Sequence, residues 1–561
     1  MSATTTLHPN RDWGPLLLGA LVAVIAVLFL IYPLANGMLL AFVKNGEDTS
    51  WSSLTLANFA RFFTATSYKR ALWNSIYSGL AATLIATALA LPMAYSVARI
   101  ELPLRGLLCA MSVVPLISPP FIGAYAWIIL LGKNGTITQF VFQTTGLTLP
   151  GIYGPGGVIL ALALSYFPYV FLIVQGALAA GDPHIEEAAR MAGASRSRII
   201  RTITLPLVLP AVAASMLIVF IKVIGDFGVP SILGGEFQVL PTLIYYQIHG
   251  FFNLNAASAI AAVNVLLTLF AMALLGWVNR KRAYATVGGT ASAAVRFTHP
   301  GARLAANVYC WLVIFISVLP QLVIALASVA DRWPGTMLPT SYTWGHYERV
   351  AAQLVQPIIN SLILSGIATV VCVVFGTLTA YASARGKMRA RWALDATIML
   401  PFVLPGLVIG VAYLTAFNSG PLILTGSALI LVLAYFTRRV AFVFRTVTAA
   451  ISQIDPKLED ASKICGANWH TTMRRVMVPL AAPAVLSGAI LVFSTLIGEI
   501  SATVLLYSAK WKTISIAIYE LVLGDQLAEA SAIGTIATVM TLLLVLAASR
   551  LAGKNMADLF R

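Results

Sequence analysis

Asp182-Pro183-His184-Ile185-Glu186-Glu187-Ala188-Ala189-Arg190-Met191-Ala192-Gly193-Ala194 reads as a short capped helix. Asp455-Pro456-Lys457-Leu458-Glu459-Asp460-Ala461-Ser462-Lys463-Ile464-Cys465-Gly466-Ala467 reads as the same helix 273 residues later. In each, the aspartate suits an N-cap and the proline the first helical position, where a missing N–H costs nothing. Glu186, Glu187, Glu459 and Asp460 lie near the positive end of the helix dipole. Gly193 and Gly466 are free to take a positive φ and end the helix. Arg198, Arg201, Arg474 and Arg475 follow, then Pro206 and Pro479. Small residues at 188–189 and 461–462 let another surface approach closely. The pattern predicts a rigid polar helix, present twice, outside whatever surrounds it.

What surrounds it is apolar. Of 561 residues, 59% are hydrophobic and 10% charged, with a mean hydropathy of +0.87; a soluble domain carries about 25% charged residues. A soluble enzyme, a disordered chain and a disulfide scaffold are excluded. Runs of about 20 apolar residues, each long enough to cross a bilayer as a helix, predict an all-α polytopic protein. The spans fall at 15–43, 72–98, 104–132, 157–180, 206–229, 254–278, 304–330, 358–384, 393–417, 421–444, 480–507 and 529–551. The first is too long for a signal-peptide core and is expected to be retained. The runs lack the two-residue alternation of a membrane barrel. Cys109, Cys310, Cys372 and Cys465 match neither a disulfide framework nor a metal site.

The duplication extends beyond the loops. Asn74-Ser75, Ala94-Tyr95, Arg99, Pro115 and Pro119 recur at offset 286 as Asn360-Ser361, Ala380-Tyr381, Arg385, Pro401 and Pro405. From Asp182 onward the offset is 273, through Pro206/Pro479, Gly225/Gly498 and Ala257-Ser258-Ala259/Ala530-Ser531-Ala532. The second copy therefore has a net deletion, expected where the first has the outer loop 133–156. Two lobes result, 1–280 and 304–561, joined by a basic linker at 281–303. Six spans per lobe leave both copies in the same orientation, a parallel repeat about an axis along the membrane normal.

With the N-terminus in the cytoplasm, the inner loops and tails carry 24 of the 36 Lys and Arg residues and the outer loops nine; Lys222, Arg438 and Arg439 fall inside spans. That asymmetry orients the chain, with both termini cytoplasmic. It also accounts for the net charge of +16 without a nucleic-acid partner.

Glu187-Ala188-Ala189, Gly193 and Leu205-Pro206-Leu207 resemble the EAA loop of ABC-importer permeases. Asp460, Ala461 and Gly466 carry the second copy, in which Asp460 replaces the glutamate, Ser462 an alanine and Val478 a leucine. Two such loops in a twelve-span repeat resemble the fused two-lobe permeases of ferric-iron importers, with the type I importer fold. Ile224–Gly235 and Ile497–Ser508 point the same way. The resemblance implies a subunit of the bacterial inner membrane that forms the substrate pathway. Its partners would be two copies of a cytoplasmic ABC ATPase, seated on the two loop helices as coupling helices, and a periplasmic binding protein. No Gly-x-x-x-x-Gly-Lys-Ser/Thr phosphate loop occurs in the chain. Catalysis is therefore not expected here, and ATP–Mg belongs to the partner.

Charges inside a membrane are costly and mark function by default. Asp226 and Glu499, equivalent at offset 273, are candidates to face each other over the pathway. Lys222, one turn before Asp226, is its expected partner; Glu499 has Thr495 at that spacing and no such neighbour. Arg438 and Arg439 interrupt the tenth span and suit either an anionic substrate group or the cytoplasmic interface. The outer loops Pro241–Phe252 and Ala509–Asp525 carry Tyr245, Tyr246, His249, Trp511 and Tyr519, with no spacing that singles out a metal site. The acids favour a cation and the arginines an anion, so ferric iron competes with a phosphonate, sugar phosphate, thiamine or polyamine. A secondary transporter would give no reason for two matched cytoplasmic loops. A membrane-embedded enzyme would need a catalytic constellation that is absent from the sequence.

Overall fold

The computed structural model describes residues 14–44, 51–280, 299–333, 336–385, 391–419 and 422–551. The linker at 281–298 and both chain ends lie outside the described residues. Among the described residues nine helices are long and apolar enough to cross a membrane, and two more candidate spans are bent pairs. The twelfth, Ala428–Gln453, matches Pro155–Ala180 end to end at offset 273 but carries Arg438, Arg439 and Arg445. In order, the spans occupy 14–40, Thr66–Arg99, 105–131, Pro155–Ala180, Arg196–Ile224 and Leu254–Arg280. The second lobe continues with Pro300–Ala327, Val355–Arg385, 391–417, Ala428–Gln453, Trp469–Ile497 and Leu527–Leu551.

The sequence predicts the third and ninth spans as single apolar runs; both are broken. Arg105–Ile117 turns by 95° into the helix beginning at Pro120, and Arg391–Val403 by 108° into Gly406–Phe417. The cause is Pro119 and Pro405, equivalent at offset 286, each in extended backbone just before the second segment. Spans five and eleven lie earlier in the chain than expected: their helices begin at Arg196 and Trp469 and end at Ile224 and Ile497. The change of offset has a structural counterpart: the first lobe inserts the helix Thr136–Thr145, whereas in the second only ten residues, 418–427, separate Phe417 from Ala428.

Within each lobe the second span packs against the fourth along a stripe of small side chains. Ala82, Ala86, Ala90 and Ala94 are fully buried, and their counterparts at offset 286, Ala368, Cys372, Gly376 and Ala380, are buried too. Among apolar helices in lipid, close backbone approach supplies the attraction that water cannot. Cys372 is thus a small packing residue in an alanine's place. The repeat marker Asn74-Ser75 ties the outer end of span two to the chain: Asn74 donates to the Gln238 carbonyl at 2.8 Å and Ser75 accepts from the Leu240 amide at 2.8 Å. Asn360 and Ser361 repeat this with Lys512 and Ile514.

The first span of each lobe packs on the other lobe. Pro33 has no N–H for the Phe29 carbonyl, which instead accepts from Tyr413 at 2.7 Å and Thr437 at 3.1 Å across the lobe boundary. Tyr309, in the seventh span, donates in return to Leu89 at 2.9 Å, beside the backbone loosened by Pro92. The lobes also meet at their breaks. A Cβ added to Gly225 would stand 3.2 Å from Pro405, and one added to Gly498 would enter the Pro119 ring. Each span-five glycine, or its span-eleven counterpart, therefore abuts the hinge proline of the opposite lobe.

Candidate functional site

Both loop helices form as the sequence predicted. Pro183–Met191 is capped by Asp182, whose carboxylate accepts from the His184 amide at 2.9 Å; Asp455 does the same for Lys457 at 2.9 Å. Gly193 and Gly466 sit at φ 82° and 80°. They close equivalent C-terminal caps: Ala194 N–H to Ala189 O at 3.0 Å, and Ala467 N–H to Ser462 O at 3.1 Å. Ser195 and Asn468 then cap the next helices, which enter the membrane as spans five and eleven.

The acid that seats each loop helix is not the one the motif reading singled out. Glu186, 9% exposed, takes the Arg99 guanidinium at 3.1 Å and the Thr204 hydroxyl at 3.1 Å. Its counterpart Glu459, 7% exposed, pairs with Arg385 at 2.7 Å and accepts from Tyr381 at 3.0 Å. Arg99 and Arg385, noted in the sequence only as repeat markers, are thus the membrane-side anchors. Glu187 faces outward beside His184 and Arg190, and Asp460, Ala188 and Ala461 are exposed. On the same outward side stand large apolar residues at equivalent positions: Ile185 and Met191, and Leu458 and Ile464, of which Met191 and Ile464 are 85% and 87% exposed.

Just beyond the loops, residues 200–204 and 473–477 are π-helical, equivalent at offset 273, as are 27–31 in the first span. In all three a proline stands two positions later: Pro206, Pro479 and Pro33. Proline removes one backbone donor and its ring displaces the carbonyl four residues back. The helix answers with a wider turn, so that the Leu205 amide reaches Ile200 and the Val478 amide reaches Met473.

Asp226 and Glu499 stand in the breaks after spans five and eleven, not within the helices. Each caps the short helix that follows: Asp226 accepts from Val229 N–H at 2.9 Å and Glu499 from Ala502 N–H at 3.3 Å. Two pairing expectations are overturned. No ion pair joins Asp226 to Lys222; its second oxygen accepts from Tyr166 at 2.7 Å, and the Lys222 ammonium lies 5.6 Å from the Phe402 ring centre. Glu499 is far from unpartnered, since Arg438 binds one oxygen and Arg439 the other, the latter at 2.8 Å. Tyr166 and Arg439 occupy equivalent places at offset 273. The two lobes thus hold equivalent carboxylates with a neutral donor on one side and two cations on the other. Lys222, Asp226, Arg438, Arg439 and Glu499 lie within electrostatic reach of one another across the lobe boundary.

The segments read as outer loops contain helices, Leu240–His249 and Ile514–Leu523. They gather aromatics between the lobes: Phe227 packs 5.1 Å from Tyr245 and 5.8 Å from Tyr519, and Tyr245 lies 4.5 Å from His249. Trp511 stands apart, under Lys510. Nearby, burial and the Glu520 carboxylate push the Tyr507 phenol up to about 12. Among the described residues no group of three or more His, Cys, Asp or Glu is placed to hold a metal ion.

The model of the family described as binding-protein-dependent transport system inner membrane component matches this chain twice, at 86–284 and 372–554. The chain belongs to that family. The two matches begin 286 residues apart, the offset found in the repeat itself. The permease is 30% identical over 458 residues to the putative ferric transport system permease protein FbpB 1 of Haemophilus influenzae, covering 80% of this chain and 72% of that one. It is 28% identical over 540 residues to the ferric transport system permease protein FbpB of Actinobacillus pleuropneumoniae, covering 94% and 77%. A single lobe's length, 255 residues, is 29% identical to the putative 2-aminoethylphosphonate transport system permease protein PhnV of Salmonella typhi, covering 45% of this chain and 97% of the relative. The permease is therefore a helical, multi-pass ABC-importer subunit of two fused lobes, with the type I importer permease fold, and its family is one of transport and not of catalysis.

Proposed function

We propose that this permease forms the translocation pathway of an ATP-driven importer for ferric iron. Its two loop helices are the docking elements for two copies of a cytoplasmic ATPase, and a periplasmic binding protein delivers cargo to the opposite face. Both chain ends face the cytoplasm in a bacterial inner membrane, as the basic loops require.

One observation carries the coupling role. Two polar helices, each capped at both ends and tied to a span by a buried Glu–Arg pair, hold Met191 and Ile464 almost fully exposed. A rigid, anchored helix that presents apolar side chains away from both lipid and core is a lever with an unfilled seat. Ferric iron is supported by the two relatives, matched over both lobes, that are described as ferric transport permeases. A phosphonate is the second reading, supported by the relative of single-lobe length and by the intramembrane arginines.

The test is uptake driven by ATP in vesicles containing the whole importer. Met191→Asp and Ile464→Asp should each abolish uptake and release the ATPase while the permease stays inserted. Full uptake by both variants would remove the docking assignment. Saturable uptake of ferric ion, uncompeted by 2-aminoethylphosphonate, separates the two cargoes.

A further inference from the structure

Resting on the ferric reading, we propose that the lobe interface within the membrane holds an oxyanion subsite formed by Lys222, Arg438 and Arg439. Iron then crosses as a complex with a small coordinated oxyanion, not as a bare ion.

The inference follows from counting donors and acceptors. The intramembrane cluster contains three basic side chains, Lys222, Arg438 and Arg439, and two carboxylates, Asp226 and Glu499. Every carboxylate oxygen is already engaged. Asp226 gives one to Val229 N–H and one to Tyr166, and Glu499 gives one to Arg438 and one to Arg439. A bare trivalent cation arriving here meets carboxylate oxygens that each already hold a donor, and a formal excess of positive charge. Hard cations are held by oxygen donors that do not have to give up other partners.

Donors, by contrast, are left over. Arginine carries five N–H groups, and Arg439, 7% exposed, has its Nε buried with no hydrogen-bond partner. Among the described residues no carboxylate forms an ion pair with Lys222, whose ammonium lies 5.6 Å from the Phe402 ring centre. Phe402 in turn packs 5.0 Å from Phe442, over which Arg439 lies at 6.0 Å. Lys222 from one lobe and Arg439 from the other therefore flank one aromatic pair. A fork of guanidinium N–H groups and an ammonium is the donor set that oxyanions bind. Such a group in a membrane interior is retained only against a cost, and a passing anion repays it.

The arrangement also explains the unequal lobes. Tyr166 suffices to hold Asp226, and a second tyrosine at 439 would hold Glu499 equally well. Arg439 in its place, with Arg438 where the first lobe has Ser165, adds charge that the cap does not need.

The test uses the complete importer, permease with ATPase and binding protein, in liposomes, supplied with radiolabelled ferric ion and labelled phosphate or citrate. Lys222→Met removes a charge without orphaning an acid, so folding survives; Lys222→Arg restores the charge. Iron and one oxyanion should accumulate in fixed ratio. Lys222→Met should lower both by about tenfold, the worth of one charge-assisted hydrogen bond, and Lys222→Arg should retain most uptake. Iron accumulating with neither anion, or at the wild-type rate in Lys222→Met, overturns the subsite and leaves the ferric reading standing. An oxyanion accumulating without iron, and falling in Lys222→Met, upholds the subsite and overturns the ferric reading.

Discussion

Replacing Glu186 by Gln should unseat the first loop helix. The carboxylate is buried at 9% exposure against an Arg99 that is 2% exposed, and it takes both the guanidinium and the Thr204 hydroxyl. Removing one partner of a buried pair costs about 3–5 kcal/mol, because the other charge is left uncompensated. At the membrane's edge the lower end applies. About 3 kcal/mol is roughly a hundredfold shift between a seated and a released helix. Glutamine still fills the space and still accepts one hydrogen bond, so the spans should remain folded. Hydrogen exchange reads the effect locally, since amides of the helix 183–191 exchange by its own opening and not by global unfolding. Their exchange should accelerate by about two orders of magnitude, and ATP-driven uptake should fall with it. The double change Arg99→Met/Glu186→Leu, which replaces the pair by apolar groups, should restore much of the protection. Unchanged exchange in Glu186→Gln would refute the claim that this pair seats the helix, and so would a double variant as unprotected as the single one.

Four further outcomes follow from the same geometry. Gly193→Ala and Gly466→Ala meet no neighbour within 4 Å, so each should cost only the left-handed backbone, about 1–2 kcal/mol, seen as weaker amide protection at the loop. Gly498→Ala should lower the melting temperature of the purified permease, because the new Cβ collides with Pro119, whereas Gly366→Ala, whose nearest atom lies 4.0 Å away, should not. Tyr166→Phe removes a 2.7 Å bond to a carboxylate and should destabilise by about 1.5–3 kcal/mol, measured by thermal unfolding in detergent. Cysteines at Ser52 and Ser197 should react with an impermeant reagent from opposite sides of the membrane; reaction of both from outside would contradict the topology.

Hydropathy and the offsets of 286 and 273 made the spans and the repeat legible, because a bilayer demands long apolar helices and duplication preserves spacing. The breaks at Pro119 and Pro405 were visible only as repeated prolines; composition does not say whether a helix runs on or turns after one. The exchange of first spans left no mark, since a helix face against lipid and one against another lobe are equally apolar. At the loops the motif directed attention to Glu187 and Asp460, whereas burial selects Glu186 and Glu459 one position earlier. A helix face is a matter of 100° per residue, and only the partners Arg99 and Arg385 reveal which carboxylate turns inward. The Arg438/Arg439–Glu499 cluster joins residues about 60 apart that along the sequence carry opposed signals, whereas in three dimensions each acid and its donors form one assembly. The π-helical turns are encoded by Pro206 and Pro479, which the sequence shows as repeat markers within the loop motif, and by Pro33, which no motif marks.

The most direct measurement needs no substitution. Of the four cysteines, Cys310 and Cys372 are buried, Cys109 is half-buried, and Cys465 is exposed at the end of the second loop helix, next to Ile464. A membrane-impermeant maleimide should modify Cys465 in inside-out vesicles stripped of peripheral subunits. It should be blocked when the partner ATPase is added back, and it should fail in right-side-out vesicles. Modification from the outer face, or equal modification with and without the ATPase, would contradict the assignment of these helices as the coupling elements of the permease.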